Sequence, residues 1–381
     1  MDFDFSKEQK MFEKSVEEFA AKEIAPGVDE REYELGFSRD VWNKMSQVDL
    51  TGLCLPEQYG GAGADALTTV IAAIAFARGS FDGSMCTVWG SHLFLAAMSI
   101  CDLGSEEQKE RYLPGMATGE RIGALALTEP EAGTDATSLA TTAVRDGDYY
   151  ILNGSKTFIS NAPIADVFVT YATMDISKRA GGITGFIVER DTPGLTCGPP
   201  MRKHFGKSTP TGEMFFNDAK IPAENLLGKE GEGFTAMIAS LGWERLAFAP
   251  IVGLMEAELD LCIDYAKTRK QFGKPVGKFQ LVQAMLAEMK MDLEASRYLA
   301  LSLAWKKDQG IYNPIDAAIA KTFITEAAER NSRKAVQIHG GMGCMQECKA
   351  GRNFWSAKTA AIGGGTSQIQ RVLIGRLLTG M

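Results

Sequence analysis

Histidine is nearly missing: His92, His204 and His339 are the only three in 381 residues. There is no C-x-x-C pair either, so the usual ligand sets for zinc are absent and no metal is expected. Seven cysteines (Cys54, Cys86, Cys101, Cys197, Cys262, Cys344 and Cys348) are scattered and odd in number. That argues against a disulfide framework and for reduced thiols. A surplus of positive charge is lacking as well. A net charge of −8 leaves no general cationic surface for nucleic acid or an anionic membrane. No apolar stretch reaches the roughly 20 residues needed to cross a bilayer. The opening M-D-F-D-F-S-K-E-Q-K is acidic and mixed, unlike a secretory or transit peptide. These absences predict a cytoplasmic protein.

What is present is ordinary globular composition, 45% hydrophobic and 23% charged. Such a length can hold two or three domains or one large layered unit. Three zones succeed one another. From 1 to about 120 the pattern is helical. Ser6 can cap a helix running through Lys22, with Phe12, Val16 and Phe19 on one face. Tyr59 to Gly63 reads as a loop, and an Ala-rich helix from about Leu67 to Arg78 is too apolar for the surface. From 121 to 228 short β-branched bursts predict strands, at Val167–Tyr171 and Ile183–Val188. Asp146-Gly147-Asp148 predicts a hairpin turn. From 229 to 381 helices return. One is expected from about Gly253 to Lys267, and Val282, Met285, Leu286, Met289 and Leu293 keep the spacing of a long bundle helix. Gly-Gly pairs break this zone at Gly340 and Gly363.

Four separated motifs carry chemistry. Ala126 to Asp135, A-L-T-E-P-E-A-G-T-D, is a strand running into a polar turn whose N–H groups suit a pyrophosphate. Lys156 to Asn161 reads K-T-F-I-S-N. Arg269 to Pro275 reads R-K-Q-F-G-K-P, with an arginine fork matched to phosphate. Gln337 to Gly343 reads Q-I-H-G-G-M-G, and glycines of this kind let backbone approach a cofactor closely. Near the C-terminus, Ile362 to Arg371 reads I-G-G-G-T-S-Q-I-Q-R.

In this order and spacing the motifs resemble those of the acyl-CoA dehydrogenase family. The resemblance implies an α+β fold with three domains: an N-terminal α-helical domain (1–120), a middle β-barrel-like domain (121–228) and a C-terminal four-helix bundle (229–381). It implies FAD as cofactor. Leu127 and Thr128 would then lie along the flavin pyrimidine, and Gly133 and Thr134 near the pyrophosphate. Phe158 would stack beside the ring, and Ser160 would reach N5. Arg269, Phe272 and Gln280 would reach the FAD of a neighbouring subunit, together with Gln337, Gly340 and Gly341. Thr366 and Gln368 would hold the local one. An oligomer is therefore implied, at least a dimer and by resemblance a homotetramer. His339 reads as a packed loop histidine rather than a catalytic one.

One residue breaks the pattern. The family's commonest C-terminal signature is I-Y-E-G-T-S-Q-I-Q-R, and its glutamate removes the substrate α-proton. This chain has Gly364 in its place, preceded by Gly363. A branch that includes isovaleryl- and long-chain acyl-CoA dehydrogenases draws its glutamate from the helix before R-x-x-F-G, in a context like E-R-L. The stretch L-G-W-E-R-L, Leu241 to Leu246, offers Glu244 as that base. Arg245 would by resemblance hold the nucleotide or pantetheine part of the thioester. Relatives acting on ring acyl groups use an aspartate near a loop around position 90. Here Trp89-Gly90-Ser91-His92 stands there, with Asp82 earlier, so neither Ser91 nor His92 is a strong rival base.

The expected reaction is FAD-dependent α,β-dehydrogenation of an acyl thioester. With Gly363 and Gly364 leaving room, and Trp89, His92 and Trp243 as wall, a short, branched or cyclic acyl-CoA is expected. Asn161 to Thr173 also resembles prolyl-carrier-protein dehydrogenases, so an acyl-carrier protein is the second candidate carrier. Electrons would pass to an electron-transfer flavoprotein, or to oxygen in an oxidase. A catalytically silent binding protein of the same fold is the third reading.

Overall fold

A computed structural model gives the fold of residues 5–311 and 313–380. The opening M-D-F-D, and the side chain of Leu241 that begins the L-G-W-E-R-L stretch, lie outside the described residues. Helix α1 (Lys7–Phe19) starts where the sequence predicts. Ser6 Oγ accepts from the Gln9 N–H at 3.1 Å and the Gln9 side chain accepts from the Ser6 N–H, a reciprocal cap. The chain continues helically through a π turn to Ile24, slightly past the expected end. After α2 (Arg39–Ser46), the Ala-rich segment forms α3 (Ala66–Ser80), buried along most of its length.

Two expectations change at the next element. Gly83–Leu103 is one continuous helical run, α4, of 21 residues, apolar and long enough by composition to cross a membrane. It is instead the core of the helical zone, with 83% of its apolar window buried. Position 90 is thus mid-helix, with no loop there. Within this run the helix widens into a π turn at Ser91–Ala97, which includes the buried His92. Helix α5 (Glu106–Ala117) closes this zone, again with a reciprocal cap, at Ser105.

Eight strands follow: β1 (Gly123–Ala126), β2 (Thr142–Asp146), β3 (Tyr149–Ser160), β4 (Val167–Thr173), β5 (Ile183–Glu189), β6 (Leu195–Cys197), β7 (Thr211–Pro222) and β8 (Leu226–Leu227). The β-barrel-like unit is a mixed sheet in the order β6-β7-β3-β2-β4-β5-β8, with β1 joining parallel to β4. The β2–β3 hairpin turns where expected, Asp146 pairing with Tyr149 around Gly147, whose φ is +59°. Every residue of β4 is buried, which explains its unbroken apolar run rather than an alternating one.

The C-terminal zone holds α6 (Gly233–Leu246), α7 (Pro250–Thr268), α8 (Gln280–Asp308), α9 (Pro314–His339), α10 (Lys349–Ala360) and α11 (Ser367–Thr379). Helix α9 is central, packed against α7, α8, α10 and α11. Gly253 fixes how α7 crosses α3, since a Cβ there would lie 2.0 Å from the Ile74 carbonyl oxygen. Only glycine permits that approach. Between α7 and α10 a carboxyl group is fully buried. Glu258 accepts one hydrogen bond, from Asn353 Nδ2 at 3.1 Å, and burial pushes its pKa up to about 8.

Candidate active site

Glu244 does not sit on the helix that leads into R-K-Q-F-G. It lies in the last turn of α6, which ends at Leu246, and α7 begins afresh with Pro250 in its first turn. Proline has no N–H to donate, so it fits the first turn of a helix, where that N–H would have no partner, better than the interior. The break lets α6 aim its C-terminal end at the loop between α10 and α11. There Gly364 and Gly365 adopt φ of +61° and +84°, a left-handed pair that favours glycine.

The two features that the sequence paired do meet. A Cβ placed on Gly364 would lie 3.2 Å from Glu244 Oε1 and 2.7 Å from Phe248 Cζ. The carboxylate of one element therefore stands where a side chain of residue 364 would begin. Glu244 keeps about 20% of its side chain accessible, so its carboxylate is neither sealed in the core nor fully in solvent.

Cations hold the loop from behind. Arg245 Nη1 donates to the Gly364 carbonyl at 2.8 Å and lies 3.4 Å from Glu244 Oε1. Its side chain is buried, and its contacts here are with the loop carbonyl and the Glu244 carboxylate, which it holds together. Gln370 Nε2 donates to the Gly364 carbonyl at 3.2 Å. Lys321 Nζ donates to the Gly365 and Ala361 carbonyls at 2.8 and 3.3 Å. Among the described residues no group accepts the Gly364 or Gly365 N–H. The loop thus turns its oxygens to the bundle and keeps N–H donors for a ligand.

The expected wall needs correction. Trp89 is fully buried, its Nε1 donating to the Leu50 carbonyl at 2.7 Å and its ring packed on Phe76 and Phe94. It is a core pillar, not a substrate contact. His92 is equally buried: Nε2 faces the Thr51 and Met116 carbonyls and Nδ1 accepts from the Gly123 N–H. Burial outweighs those hydrogen bonds and pushes its pKa down to about 4, so the ring is neutral and structural. Trp243 stacks on Phe94, with Lys307 Nζ 4.6 Å above the ring. His339 is packed as expected but ends helix α9, its Nδ1 against the Ala335 carbonyl at 2.8 Å.

On the β domain, Leu127 and Thr128 are half-buried just past β1, and Gly133 and Thr134 are exposed in the turn beyond, Gly133 with open space around it. Phe158 is the informative residue. It adopts φ of +57° and leaves 66% of its ring exposed, an aromatic face thrust out of β3 where the ladder shifts register. Ser160, two residues on, is half-buried. Sequence reading missed what holds this surface. Lys156 and Glu129 form a buried pair, Nζ to Oε1 at 2.6 Å, and Lys156 also donates to the Leu127 carbonyl at 3.1 Å. Glu129 accepts the Ala140 and Thr141 N–H groups as well. Burial would raise this carboxyl, but the Lys156 charge and hydrogen bonds hold it below the usual range. Burial pushes Lys156 down to about 8. Both residues sat inside quoted motifs, but their pairing across 27 positions left no local trace.

At the other end of the bundle, Arg269, Gly340 and Gly341 line one cleft of about 560 Å³ with Tyr265, Ile338 and His339. Phe272 projects beside it, 92% exposed at φ of +49°. Gln280 and Gln337 are exposed but do not line the cleft, and no β-domain residue does. Thr366 caps α11, its Oγ1 accepting from the Ile369 N–H at 3.3 Å, and Gln368 is exposed in that first turn. An open glycine-lined cleft beside an arginine, and an exposed aromatic ring beside a turn of free glycine backbone, fit the two ends of a dinucleotide such as FAD.

Comparison with known proteins agrees along the whole chain. The families described as "Acyl-CoA dehydrogenase, N-terminal domain", "middle domain" and "C-terminal domain" match residues 6–120, 124–219 and 231–379. An acyl-CoA dehydrogenase of Bacillus subtilis is 40% identical over 98% of this chain and 99% of its own. An L-prolyl-[peptidyl-carrier protein] dehydrogenase of Pseudomonas fluorescens is 39% identical over 99% of this chain and 100% of its own. The solved structure "PigA with FAD and proline" superposes with a TM-score of 0.96 at 34% identity, covering 100% of this chain and 99% of that one. Three matched domains, full-length relatives and a flavin-bearing neighbour agree with the motifs, and the chain belongs to the acyl-CoA dehydrogenase family of FAD-dependent oxidoreductases.

Proposed function

We propose that Glu244 is the base that removes the α-proton of an acyl thioester during its α,β-dehydrogenation. The observation that carries this reading is the 3.2 Å between Glu244 Oε1 and the point where a residue-364 side chain would start. Bound FAD supplies the acceptor for the β-hydride, held by Leu127, Thr128, Gly133, Thr134, Phe158, Ser160, Thr366 and Gln368. Arg245 keeps the carboxylate against the loop. The free N–H groups of Gly364 and Gly365 are the donors available to a thioester oxygen as negative charge develops there. With Arg245 tying α6 to the loop, base and donors are held at one corner, which leaves little to reorganise during the reaction.

Arg269, Phe272, Gln280, Gln337, Gly340 and Gly341 complete the cofactor site of a second copy in a homotetramer. This is supported by a cleft whose lining draws nothing from the β domain. The same reading divides the chain at 1–120, 121–228 and 229–381. It places the protein in the cytoplasm, consistent with seven free cysteines, and passes electrons to an electron-transfer flavoprotein. The acyl group is short, branched or cyclic, a reading supported by Gly363, where a Cβ would meet only the Thr359 carbonyl oxygen at 3.8 Å. Its carrier is CoA or, as in the Pseudomonas relative, a carrier protein.

Anaerobic titration of the flavin with matched acyl-CoA and acyl-carrier thioesters tests this. Bleaching by only the carrier form replaces the CoA assignment, and no bleaching by any thioester favours a silent binding protein. Glu244→Gln should lower turnover by at least ~10²-fold with FAD retained. Unchanged turnover rejects Glu244.

A further inference from the structure

Lys321 is a charged side chain with about 1% of its surface accessible, on the central helix of the bundle. The reaction assigns it no part, and burying an ammonium is costly unless its hydrogen bonds are met. Its partners explain it. Nζ donates to the carbonyl oxygens of Gly365 (2.8 Å) and Ala361 (3.3 Å), the two ends of the turn that carries Gly364. The same ammonium lies 5.3 Å from the centroid of the Phe248 ring, within cation–π range. Phe248 in turn is the nearest neighbour of the Gly364 Cβ position, with Glu244 Oε1 the second element there.

The geometry points to Lys321 as a positioning residue for proton abstraction: it pins the Ala361–Gly365 turn and the Phe248 ring, and so sets where the Glu244 carboxylate stands relative to the turn. Where the family's usual signature places the base on residue 364, loop and base move as one. Here they belong to α6 and to the α10–α11 loop, and two glycines in left-handed geometry give the turn little stiffness of its own. Arg245 ties the middle of the turn to α6, and Lys321 ties both ends to α9. Gln370 adds a hold from α11 on the Gly364 carbonyl, but the tie to the central helix α9 is lost with Lys321. This inference rests on Glu244 being the base.

The test compares Lys321→Met, Phe248→Leu and Glu244→Gln as FAD-loaded enzymes. Four quantities are read: flavin content, melting temperature, separate kcat and KM, and the long-wavelength absorbance that appears when a non-oxidisable thioester with an acidified α-proton is bound as its anion beside the flavin. For Lys321→Met, kcat should fall about 10- to 100-fold, as for a misplaced reacting group. KM should stay within about 3-fold and the absorbance should weaken, with flavin content unchanged. Phe248→Leu should follow in the same direction by a smaller factor, and it decides the matter if Lys321→Met does not fold. Wild-type kcat and absorbance in a folded, flavin-loaded Lys321→Met, or in Phe248→Leu when that variant must decide, would overturn the assignment. If Glu244→Gln keeps its turnover, the base itself is misassigned, and that outcome is separate from a silent Lys321→Met beside a dead Glu244→Gln.

Discussion

At the scale of single residues, Gly364 is constrained twice. Its φ of +61° is unfavourable for any side chain, and a Cβ would press on Phe248 at 2.7 Å. Gly364→Ala should therefore cost about 1–2 kcal/mol through the backbone conformation. It should also displace Phe248 or Glu244 Oε1, and turnover should drop by roughly 10-fold or more, in proportion to that misplacement. Thermal melts and steady-state kinetics on flavin-replete protein check both; an alanine variant with wild-type kcat would show that the contact does not matter. The missing glutamate at this position was legible in the sequence because one letter departed from a known run. The role of Arg245 was not. A basic residue beside an acidic one looks the same whether it grips a ligand or a backbone carbonyl, and only the loop from 119 positions away distinguishes the two.

At the scale of elements, pieces with their own local chemistry were readable: the Ser6 cap, the Gly147 turn, the apolar α3 and the long α8. Each is decided by neighbours a few residues away. Position 90 was not readable, because a buried helix that is apolar on all sides shows no periodicity, and the partners of its buried His92 are carbonyls distant in sequence. The Glu129–Lys156 pair was hidden for the same reason. It ties the end of β1 to β3 and braces the strand from which Phe158 projects. Lys156→Met leaves the Glu129 charge buried and unpaired, so a loss of about 3–5 kcal/mol is expected, together with weakened flavin retention. Chemical denaturation and the flavin-to-protein absorbance ratio measure these, and an unchanged midpoint would show that the pair carries no strain. Between α7 and α10, Glu258 gives a pH signature. Its pKa, raised to about 8, means the folded state holds a proton that the unfolded chain releases above about 4.5. Stability should then decline as pH rises through that interval and level off above about 8. Glu258→Gln should melt higher than wild type at pH 9 and about equally at pH 5. A pH-independent difference would contradict this origin.

At the scale of the whole molecule, several large apolar side chains are exposed. Phe272 is 92% accessible, Leu281 81% and Met291 72%, all near or along α8, and Arg269 faces the glycine-lined cleft nearby. Patches of this kind mark association surfaces. Phe272→Asp should lower the assembly state in analytical ultracentrifugation and, in the same samples, reduce FAD retention. A full-size assembly that keeps its flavin would separate Phe272 from both. Motif matching proposes cofactor roles for this region, whereas the exposure of Phe272, Leu281 and Met291 depends on packing along α8 and its preceding loop, which no short motif records.

Separating the carboxylate from the turn has an effect that reaches beyond this one reaction. Residue 363 carries no catalytic duty, and a Cβ there would touch only the Thr359 carbonyl oxygen, at 3.8 Å. Bulk can be added or trimmed at that point while the Glu244 carboxylate, anchored on another helix, stays where it is. Under the role proposed for Glu244, side-chain bulk at position 363 becomes something drift or design can change one residue at a time without moving the carboxylate.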